Sequence, residues 1–296
     1  MKLGKKKWLL LILIMMIIGV ILGYYNQKPN FESALYGEVI DSVESRALVI
    51  RDEEVIYSNS NGTISLLFKE GERASYGQEV IEVNNDNFNK TFYSKKSGLI
   101  SYGFDGLEEE FEFDNLNQYS VDKFRDLEPD FRHLTSGREI NSGDPIYRIV
   151  NNNRVFFVFI LENSKADNYK IREQVFLNES NTERNLTKGR VYNKISNSEM
   201  TALLIEVDKF KDDWLNRRHI NFELISNIYR GLVIPRSAIF STVQGRGVLV
   251  ENNRGIIEFR NLKIIGGNSK ELVVEGLNLG DRIIINPEVL NYGRGG

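Results

Sequence analysis

The pattern of apolar and polar positions contains one unit twice. Residues 57–65 read Tyr-Ser-Asn-Ser-Asn-Gly-Thr-Ile-Ser, residues 93–101 read Tyr-Ser-Lys-Lys-Ser-Gly-Leu-Ile-Ser, and in each copy a phenylalanine follows six residues after the glycine. Residues 71–83 and 137–149 form a second matching pair, in which two glycines lie six residues apart before apolar residues at the same offsets. A repeat of this kind indicates that the fold uses one structural unit twice.

Each copy is predicted to form a strand, a glycine turn and a further strand. Ile64, Leu66 and Phe68 recur at every second position, so one face of the first strand is apolar. One copy is too small to bury this face, whereas two copies that face each other can bury it as a small sandwich. Glycine suits the turns because it adopts positive φ without steric cost. The glycines predicted to define them are Gly62, Gly71, Gly77, Gly98, Gly137 and Gly143.

The second copy carries an insert at about residues 105–136, where the first copy has only two residues. Inserts of this size usually lie on the surface. Ser120 is predicted to cap a short helix over Val121–Leu127, which Pro129 ends. Two interpretations stay open for its apolar side, namely packing onto the sandwich or contact with a partner protein. The residues of that side are Phe124, Leu127, Phe131 and Leu134, of which the first three are the candidate partner contacts.

The remainder of the chain is predicted to be mostly β. The apolar run 154–161 is followed by short strands at steady spacing, separated by turns rich in Asn, Ser and Gly. Such a series is typical of small barrels or sandwiches. Pro235 interrupts strand pairing and fits an exit from one domain into the next.

The N-terminus is predicted to be a membrane anchor. Four lysines precede Trp8, and the segment from Trp8 to Tyr25 is eighteen residues without a charge, which is enough to span the hydrocarbon layer. Trp8 and Tyr25 bracket it as interfacial aromatic residues do, and the lysines place residues 1–7 in the cytoplasm. A cleaved signal peptide is the alternative interpretation, but no small-residue cleavage site follows the apolar run.

Composition and charge exclude several classes of function. The chain has no cysteine and two histidines, which leaves little material for thiol, triad or metal chemistry. Without the four N-terminal lysines, the net charge of −3 becomes −7, which argues against nucleic acid as a partner. An acidic run in the insert could hold Ca²⁺ or serve an extracellular enzyme, but it lacks the spacing of a calcium loop and is typical of a solvated face. Its members are Glu108, Glu109, Glu110, Glu112 and Asp114. No catalytic, cofactor or metal residue is therefore assigned.

Several short motifs in a fixed order resemble a known family. They are Gly62-Thr63-Ile64, Lys69-Glu70-Gly71-Glu72-Arg73 and Gly77-Gln78 in the first half-unit, Gly98-Leu99-Ile100 and Gly143-Asp144-Pro145-Ile146 in the second, and then 231–239, Glu275-Gly276-Leu277 and 280–284. In this order they resemble the HlyD-like membrane fusion proteins, the periplasmic adaptors of bacterial efflux and secretion systems.

The resemblance implies a series of modules. They are a cytoplasmic tail (1–7), a transmembrane anchor (8–25), a linker with the first strands (26–54), a lipoyl-like barrel-sandwich hybrid (55–150, half-units 57–83 and 93–150), a β-barrel (151–234), a terminal β-domain of the membrane-proximal type (235–290) and a flexible tail (291–296).

The same resemblance implies a function and marks one departure. The expected function is that of a non-enzymatic adaptor in the cell membrane, without a cofactor, whose domains lie outside the cytoplasm. Its expected partners are the lipid bilayer, an integral membrane transporter or envelope protein, and further copies of itself. Typical adaptors insert a long α-helical hairpin between the half-units, but only residues 84–97 join them here, as in short adaptor-like proteins of bacteria with one membrane. Alternatives are a cell-division or cell-wall scaffold, a lipoyl- or biotin-type carrier, and an extracellular enzyme.

Overall fold

The computed structural model describes residue 8 and residues 12–19, 28–86, 88–125, 127–180, 182–242 and 245–290. Residues 8 and 12–19 are helical, and within the described part of the chain no helix is both long and apolar enough to cross a bilayer. Most of the predicted anchor 8–25, including Tyr25, lies outside the described residues, as do the two tails 1–7 and 291–296. The described residues form two compact units, one of those within 42–226 and one of those within 1–41 and 227–296.

Strands dominate both units, which confirms the prediction of a mostly β fold. The first strands are β1 (Phe31–Ser33), β2 (Leu35–Tyr57), β3 (Gly62–Leu66), β4 (Arg73–Ala74), β5 (Glu79–Asn84), β6 (Asn89–Tyr93), β7 (Gly98–Ser101), β8 (Gly103–Phe104), β9 (Arg132–His133), β10 (Glu139–Ile140) and β11 (Pro145–Glu162). The later strands are β12 (Gln174–Glu179), β13 (Thr187–Ser196), β14 (Met200–Val207), β15 (His219–Pro235), β16 (Phe240–Thr242), β17 (Gly245–Glu251), β18 (Ile257–Asn261), β19 (Lys263–Gly267), β20 (Glu271–Glu275) and β21 (Arg282–Ile284).

The helical elements after residue 28 are short. One turn of α-helix spans Asn163–Ala166, and the other elements are 3₁₀ turns. These turns span Phe113–Gln118, Val121–Phe124, Asp212–Trp214, Arg236–Ala238 and Pro287–Val289.

The two copies of the repeat clasp each other through exchanged strands. Strand β3 of the first copy pairs with β10 of the second, and β7 of the second pairs with β4 of the first. The registers are equivalent, since Gly62 lies opposite Ile140 and Gly98 lies opposite Ala74. Side chains of both copies then share one core, in which Ile64, Ile81 and Val83 of the first copy join Ile100, Ile146 and Ile149 of the second.

Backbone hydrogen bonds repeat the same exchange. The N–H of Gly71 donates to the carbonyl of Ile100 over 2.9 Å, and the N–H of Gly137 donates to that of Ile64 over 2.8 Å. Ser58 and Gly143 bond in the same way as Ser94 and Gly77, all over 2.8 Å. The duplicated sequence therefore folds as an internal pseudo-twofold pair, in which each copy supplies hydrogen bonds that the other cannot make alone.

A barrel follows the repeat within the same unit. Its strands pair in the order β15-β12-β13-β14-β11-β2, and β2 pairs with β15 as well. The interior is aromatic, with the Phe157 ring 4.9 Å from the Trp214 ring and 5.0 Å from the Phe222 ring, both edge to face.

The insert covers the outer face of this barrel. Along β11, Val155, Phe157 and Phe159 point into the barrel, whereas Phe156 and Val158 join Leu116, Val121 and Phe124 of the insert in a second core. The expectation that the insert packs onto the sandwich is therefore wrong for most of its apolar residues. The apolar run 154–161 is continuous because both faces of the strand are buried, as in strands covered on both sides.

The helix predicted for the insert is also shorter than expected. It is a 3₁₀ turn that ends at Phe124, and Ser120 makes no capping hydrogen bond through its side chain. The four predicted apolar residues do not form one side, since Leu134 lies in the core of the repeat and Phe131 is 50% exposed. The aromatic contacts of Phe124 with Phe111, at a ring distance of 5.2 Å, replace the helical stripe.

The terminal unit has its own core around Ile234, Val248, Val274 and Ile283. Its strands pair in the orders β1-β21-β17-β16 and β19-β20-β15, with β18 on β17.

Candidate functional site

The six glycines predicted to define the turns serve two different purposes. Four of them have φ between 76° and 95°, in the left-handed region, and leave enough room for a Cβ atom, which is the conformational role that the sequence predicts. Their φ angles are 76° at Gly71, 79° at Gly77, 87° at Gly137 and 95° at Gly143. The equivalence of the values in the two copies follows the internal pseudo-twofold.

At Gly62 and Gly98 the neighbouring strand lies too close to leave room for a side chain. A Cβ atom at Gly98 would lie 2.6 Å from the carbonyl oxygen of Val150 and 2.8 Å from Cγ1 of Ile149. A Cβ atom at Gly62 would lie 2.6 Å from the carbonyl oxygen of Asn84 and 2.9 Å from Cγ1 of Val83. The close approach occurs within each copy, between β3 and β5 in the first and between β7 and β11 in the second, so these two glycines let neighbouring strands of one copy pack closely.

Replacing Gly98 by valine is expected to lower the free energy of unfolding by about 3 kcal/mol, because the backbone of β11 cannot move away from the new side chain without breaking its pairing. Gly77→Asn is the matched control and is expected to cost about 1 kcal/mol or less, since space is open there and asparagine tolerates positive φ. Urea denaturation of both variants measures the difference. Equal losses would show that close approach does not distinguish the two kinds of glycine.

The candidate partner contacts are dispersed. Phe124 is 3% exposed within the insert's core, and Leu127 packs partly buried against the same core. Phe131 is half-exposed, and Trp8 is 62% exposed. Only Phe131 and Trp8 of these residues therefore present a large apolar surface to the surroundings.

The carboxylates of the acidic run in the insert do not meet at one point. Each of its carboxylates binds a different group of the protein. Glu108 accepts hydrogen bonds from the N–H groups of Asp105 and Gly106, Glu109 from the hydroxyl of Tyr57, Glu110 pairs with Lys123, Glu112 accepts from the amide of Asn115, and Asp114 pairs with Arg154. Among the residues that the structure describes, no three His, Asp or Glu side chains are grouped to hold a metal ion.

A buried charge cluster lies between the repeat and the barrel, and no sequence motif indicates it. We define it as Arg51, Glu53, Asp105, Arg148 and Arg218, whose side chains are at most 3% exposed. Glu53 binds all three guanidinium groups, with Nε of Arg51 at 3.2 Å, Nη2 of Arg218 at 2.9 Å and a close contact to Nη1 of Arg148. Asp105 binds Nη2 of Arg51 at 3.1 Å and Nη2 of Arg218 at 2.8 Å.

Backbone carbonyls and the side-chain oxygen of Asn216, which accepts from Nη2 of Arg148 over 2.6 Å, bind the remaining guanidinium nitrogens of the cluster. Arg51 donates to the carbonyls of Trp214 and Arg217 over 3.2 and 3.0 Å. Arg148 donates to the carbonyls of Gly103 and Leu215 over 2.6 and 2.7 Å. The three arginines are held by two carboxylates, by backbone carbonyls and by the Asn216 amide, which is the condition under which buried ions are tolerated.

The pKa values of the carboxyl groups reflect this environment. Burial by itself would raise the pKa of Glu53, but the charges of Arg51, Arg148 and Arg218 outweigh burial and lower it far below its ordinary value. The pKa of Asp105 is lowered in the same way, by the hydrogen bond and charge of Arg218 acting against burial. Burial lowers the pKa of Arg51 to about 10, so its guanidinium is still charged at neutral pH.

One weak signal of the cluster exists in the sequence. Arg148 stands between Tyr147 and Ile149 in a predicted strand, at a position that alternation assigns to the opposite face. That face is buried as well, because the chain near residues 214–218 covers it. Alternation alone does not show whether a charged side chain on that second face is buried or exposed to water.

Comparison with known proteins places the repeat in a family. Residues 53–151 match the family model described as "RND related, barrel-sandwich hybrid domain". None of the curated proteins matches the chain.

Several solved structures are similar to the chain at low sequence identity. ZneB from Cupriavidus metallidurans is 12% identical, with a TM-score of 0.39 over 88% of this chain and 93% of that one. MacA from Actinobacillus actinomycetemcomitans is 10% identical, with a TM-score of 0.45 over 86% and 98%. The membrane fusion protein Spr0693 from Streptococcus pneumoniae R6 is 10% identical, with a TM-score of 0.33 over 62% and 100%. Residues 53–151 match an RND-related barrel-sandwich hybrid domain, and for these residues the resemblance that the sequence indicates is confirmed.

Proposed function

We propose that this chain is a non-enzymatic, membrane-anchored adaptor outside the cytoplasm, which binds an integral membrane transporter or envelope protein and holds it in an assembly. The observation that carries the proposal is the barrel-sandwich hybrid of residues 53–151, whose two copies exchange strands and hydrogen bonds around one core. Among the described residues of this module, no three His, Asp or Glu side chains are grouped to hold a metal ion, and we expect the module to act through its shape and surface.

The attachment of the terminal unit to the chain's N-terminal segment supports a position near the membrane. The side-chain amide of Asn286 donates to the carbonyl of Lys28 over 3.1 Å, and its oxygen accepts the N–H of Asn30 over 2.7 Å. Lys28 follows the predicted anchor 8–25 by three residues. An anchor in the bilayer would therefore hold this unit at the lipid surface.

The distribution of charge supports the same arrangement. The insert 105–136 contains ten acidic and three basic residues and so accounts for a net charge of −7. Residues 235–290 contain seven basic and six acidic residues and are nearly neutral. An anionic bilayer would therefore repel the insert more strongly than residues 235–290.

The short joint between the half-units favours a second candidate, an envelope scaffold for cell division or wall synthesis without a transport role. Strands β5 and β6 pair directly, with Asn84 opposite Asn89. The half-units are therefore joined by a short β-hairpin, at the place where typical adaptors insert a long α-helical hairpin. A carrier function is less well supported, because Lys90 lies within β6, where its ammonium group contacts the ring of Phe92.

Affinity purification of the tagged full chain from gently solubilised membranes is expected to recover an integral membrane or envelope protein with it. The matched control replaces residues 1–27 by a cleavable signal peptide, so that the folded domains are exported without an anchor. The control is expected to leave the membrane fraction and lose the partner. Recovery of this chain alone from membranes would contradict the adaptor function, and the identity of the partner decides between transporter and scaffold.

A further inference from the structure

Two long strands run without interruption from the repeat into the barrel. Strand β2 and strand β11 pair from Tyr57 opposite Pro145 to Ala47 opposite Phe159. Along this ribbon, Ile56 and Ile149 belong to the core of the repeat, whereas Val49 and Phe157 belong to the core of the barrel. The two modules that the sequence predicts as separate domains therefore share two continuous, paired strands.

The ribbon is irregular at two places, between Pro145 and Tyr147 and between Asn151 and Val155, and the buried charge cluster lies at the second. The pairing of β2 with β11 shifts register between Asn151 and Val155, and a bulge of this kind is where a ribbon bends most easily. Arg51 pairs with Val155 at one side of the shift, and Glu53 pairs with Val150 at the other. Nε of Arg51 and Oε2 of Glu53 are 3.2 Å apart across this point.

Two further segments of the chain reach the same point. The insert contributes Asp105 at its first residue, and the chain before β15 contributes Arg218. Nε of Arg218 donates to Oδ2 of Asp105 over 2.8 Å, and Nη1 of Arg218 donates to the carbonyl of Val49 over 3.1 Å. Bending the ribbon at the bulge would pull these groups apart.

Separating the groups would be costly. Every guanidinium nitrogen of the three arginines has at least one acceptor within the protein, and the side chains have almost no exposure to solvent. A buried ion that loses its partner keeps its desolvation penalty without compensation. The cluster therefore opposes bending more strongly than surface ion pairs of the same number would.

We infer that the barrel-sandwich hybrid and the barrel of this chain form one rigid strut, and that the charge cluster, with Asp105 of the insert as its clamp, locks the bulge in the ribbon that joins them. The insert then has a mechanical role at its first residue in addition to covering the barrel. This inference concerns residues 42–226 and stands whether or not the adaptor function is correct.

Distance measurements between spin labels test the strut. Because the chain has no cysteine, pairs of cysteines can be introduced directly into the full chain in detergent. Labels at Tyr76 in the repeat and Ile171 in the barrel, which are 77% and 50% exposed, report on the angle between the modules. A single narrow distance distribution is expected in the otherwise unmodified chain, and a broad one there would overturn the inference.

Variants distinguish an effect on the angle between the two modules from a general loss of stability. Asp105→Asn is expected to replace the narrow peak by a broad distribution, while a second label pair within the barrel, at Ile171 and Lys188, keeps its narrow peak and shows that the barrel is folded. Glu109→Gln, a change of the same kind on the exposed surface of the insert, is expected to leave both distributions narrow. Arg51→Lys, which keeps the charge but loses the forked contacts, is the second variant and is expected to broaden the first distribution only. A narrow distribution between Tyr76 and Ile171 in both Asp105→Asn and Arg51→Lys would overturn the inference.

Discussion

Glu53→Gln is expected to lower the free energy of unfolding of the unit 42–226 by about 3–5 kcal/mol. The carboxylate is 1% exposed and contacts three guanidinium groups, so its loss leaves Arg51 and Arg218 with Asp105 as their one carboxylate and Arg148 with none. Trp214 and Trp8 are the two tryptophans of the chain, and in a Trp8→Phe background the fluorescence of Trp214 reports on this unit specifically. Urea denaturation followed at that signal measures the loss.

The neighbouring residue provides the control for Glu53. Glu54 is 41% exposed, and its carboxylate lies 3.8 Å from Lys95 and 4.0 Å from Lys96. Glu54→Gln is expected to change the free energy of unfolding by less than about 1 kcal/mol, because surface ion pairs contribute little. Similar losses for the two variants would mean that the buried cluster contributes no more than a surface pair.

The stability of the unmodified chain and that of Glu53→Gln are expected to depend differently on pH. Glu53 and Asp105 have lower pKa values in the folded than in the unfolded protein, so the unfolded state binds more protons in the acidic range. The stability from these groups is complete above their unfolded pKa values, about 4, and is lost as the pH falls through the lowered folded values. Stability of the unmodified chain is therefore expected to fall below about pH 4, and that of Glu53→Gln is expected to fall less steeply. A decline of equal slope in both would contradict the assignment.

Phe156→Ala and Phe157→Ala are both expected to cost about 3–5 kcal/mol, although the two side chains point to opposite faces of β11. Phe157 packs against Trp214 and Phe222 inside the barrel, and Phe156 packs against Phe113 of the insert at a ring distance of 5.0 Å and against Tyr192 at 4.9 Å. If the outer face of β11 were in contact with water, Phe156→Ala would cost little and only Phe157→Ala would be strongly destabilising.

The half-exposed Phe131 of the insert is the control for this pair, and Phe131→Ala is expected to cost less than about 1 kcal/mol. The measurement is again urea denaturation at the Trp214 signal, with the cavity-forming change at Phe157 checked by circular dichroism because it lies beside the reporter. A small loss for Phe156→Ala together with a large one for Phe157→Ala would show that the insert does not cover the barrel in solution.

The duplicated unit, the mostly β fold and the turn glycines could be read from the chain because they depend on local chemistry. The spacing of Gly71 and Gly77, and of Gly137 and Gly143, encodes turns whose positive φ few other residues adopt, and alternation along β3 encodes its buried face. These signals arise from residues a few positions apart, so they do not require knowledge of the tertiary contacts.

The placement of the insert and the charge cluster could not be read in this way. Arg51 and Trp214 are 163 residues apart in sequence, and Arg218 and Asp105 are 113 apart, so no local period relates them. The close approach at Gly98 likewise depends on where Val150 lies across the sheet. The apolar pattern was enough to establish that two copies must cover each other, because one copy cannot bury its own apolar face. The face that receives the insert, and the charges that are removed from water together, became known only from the folded chain, because contacts between distant segments set burial.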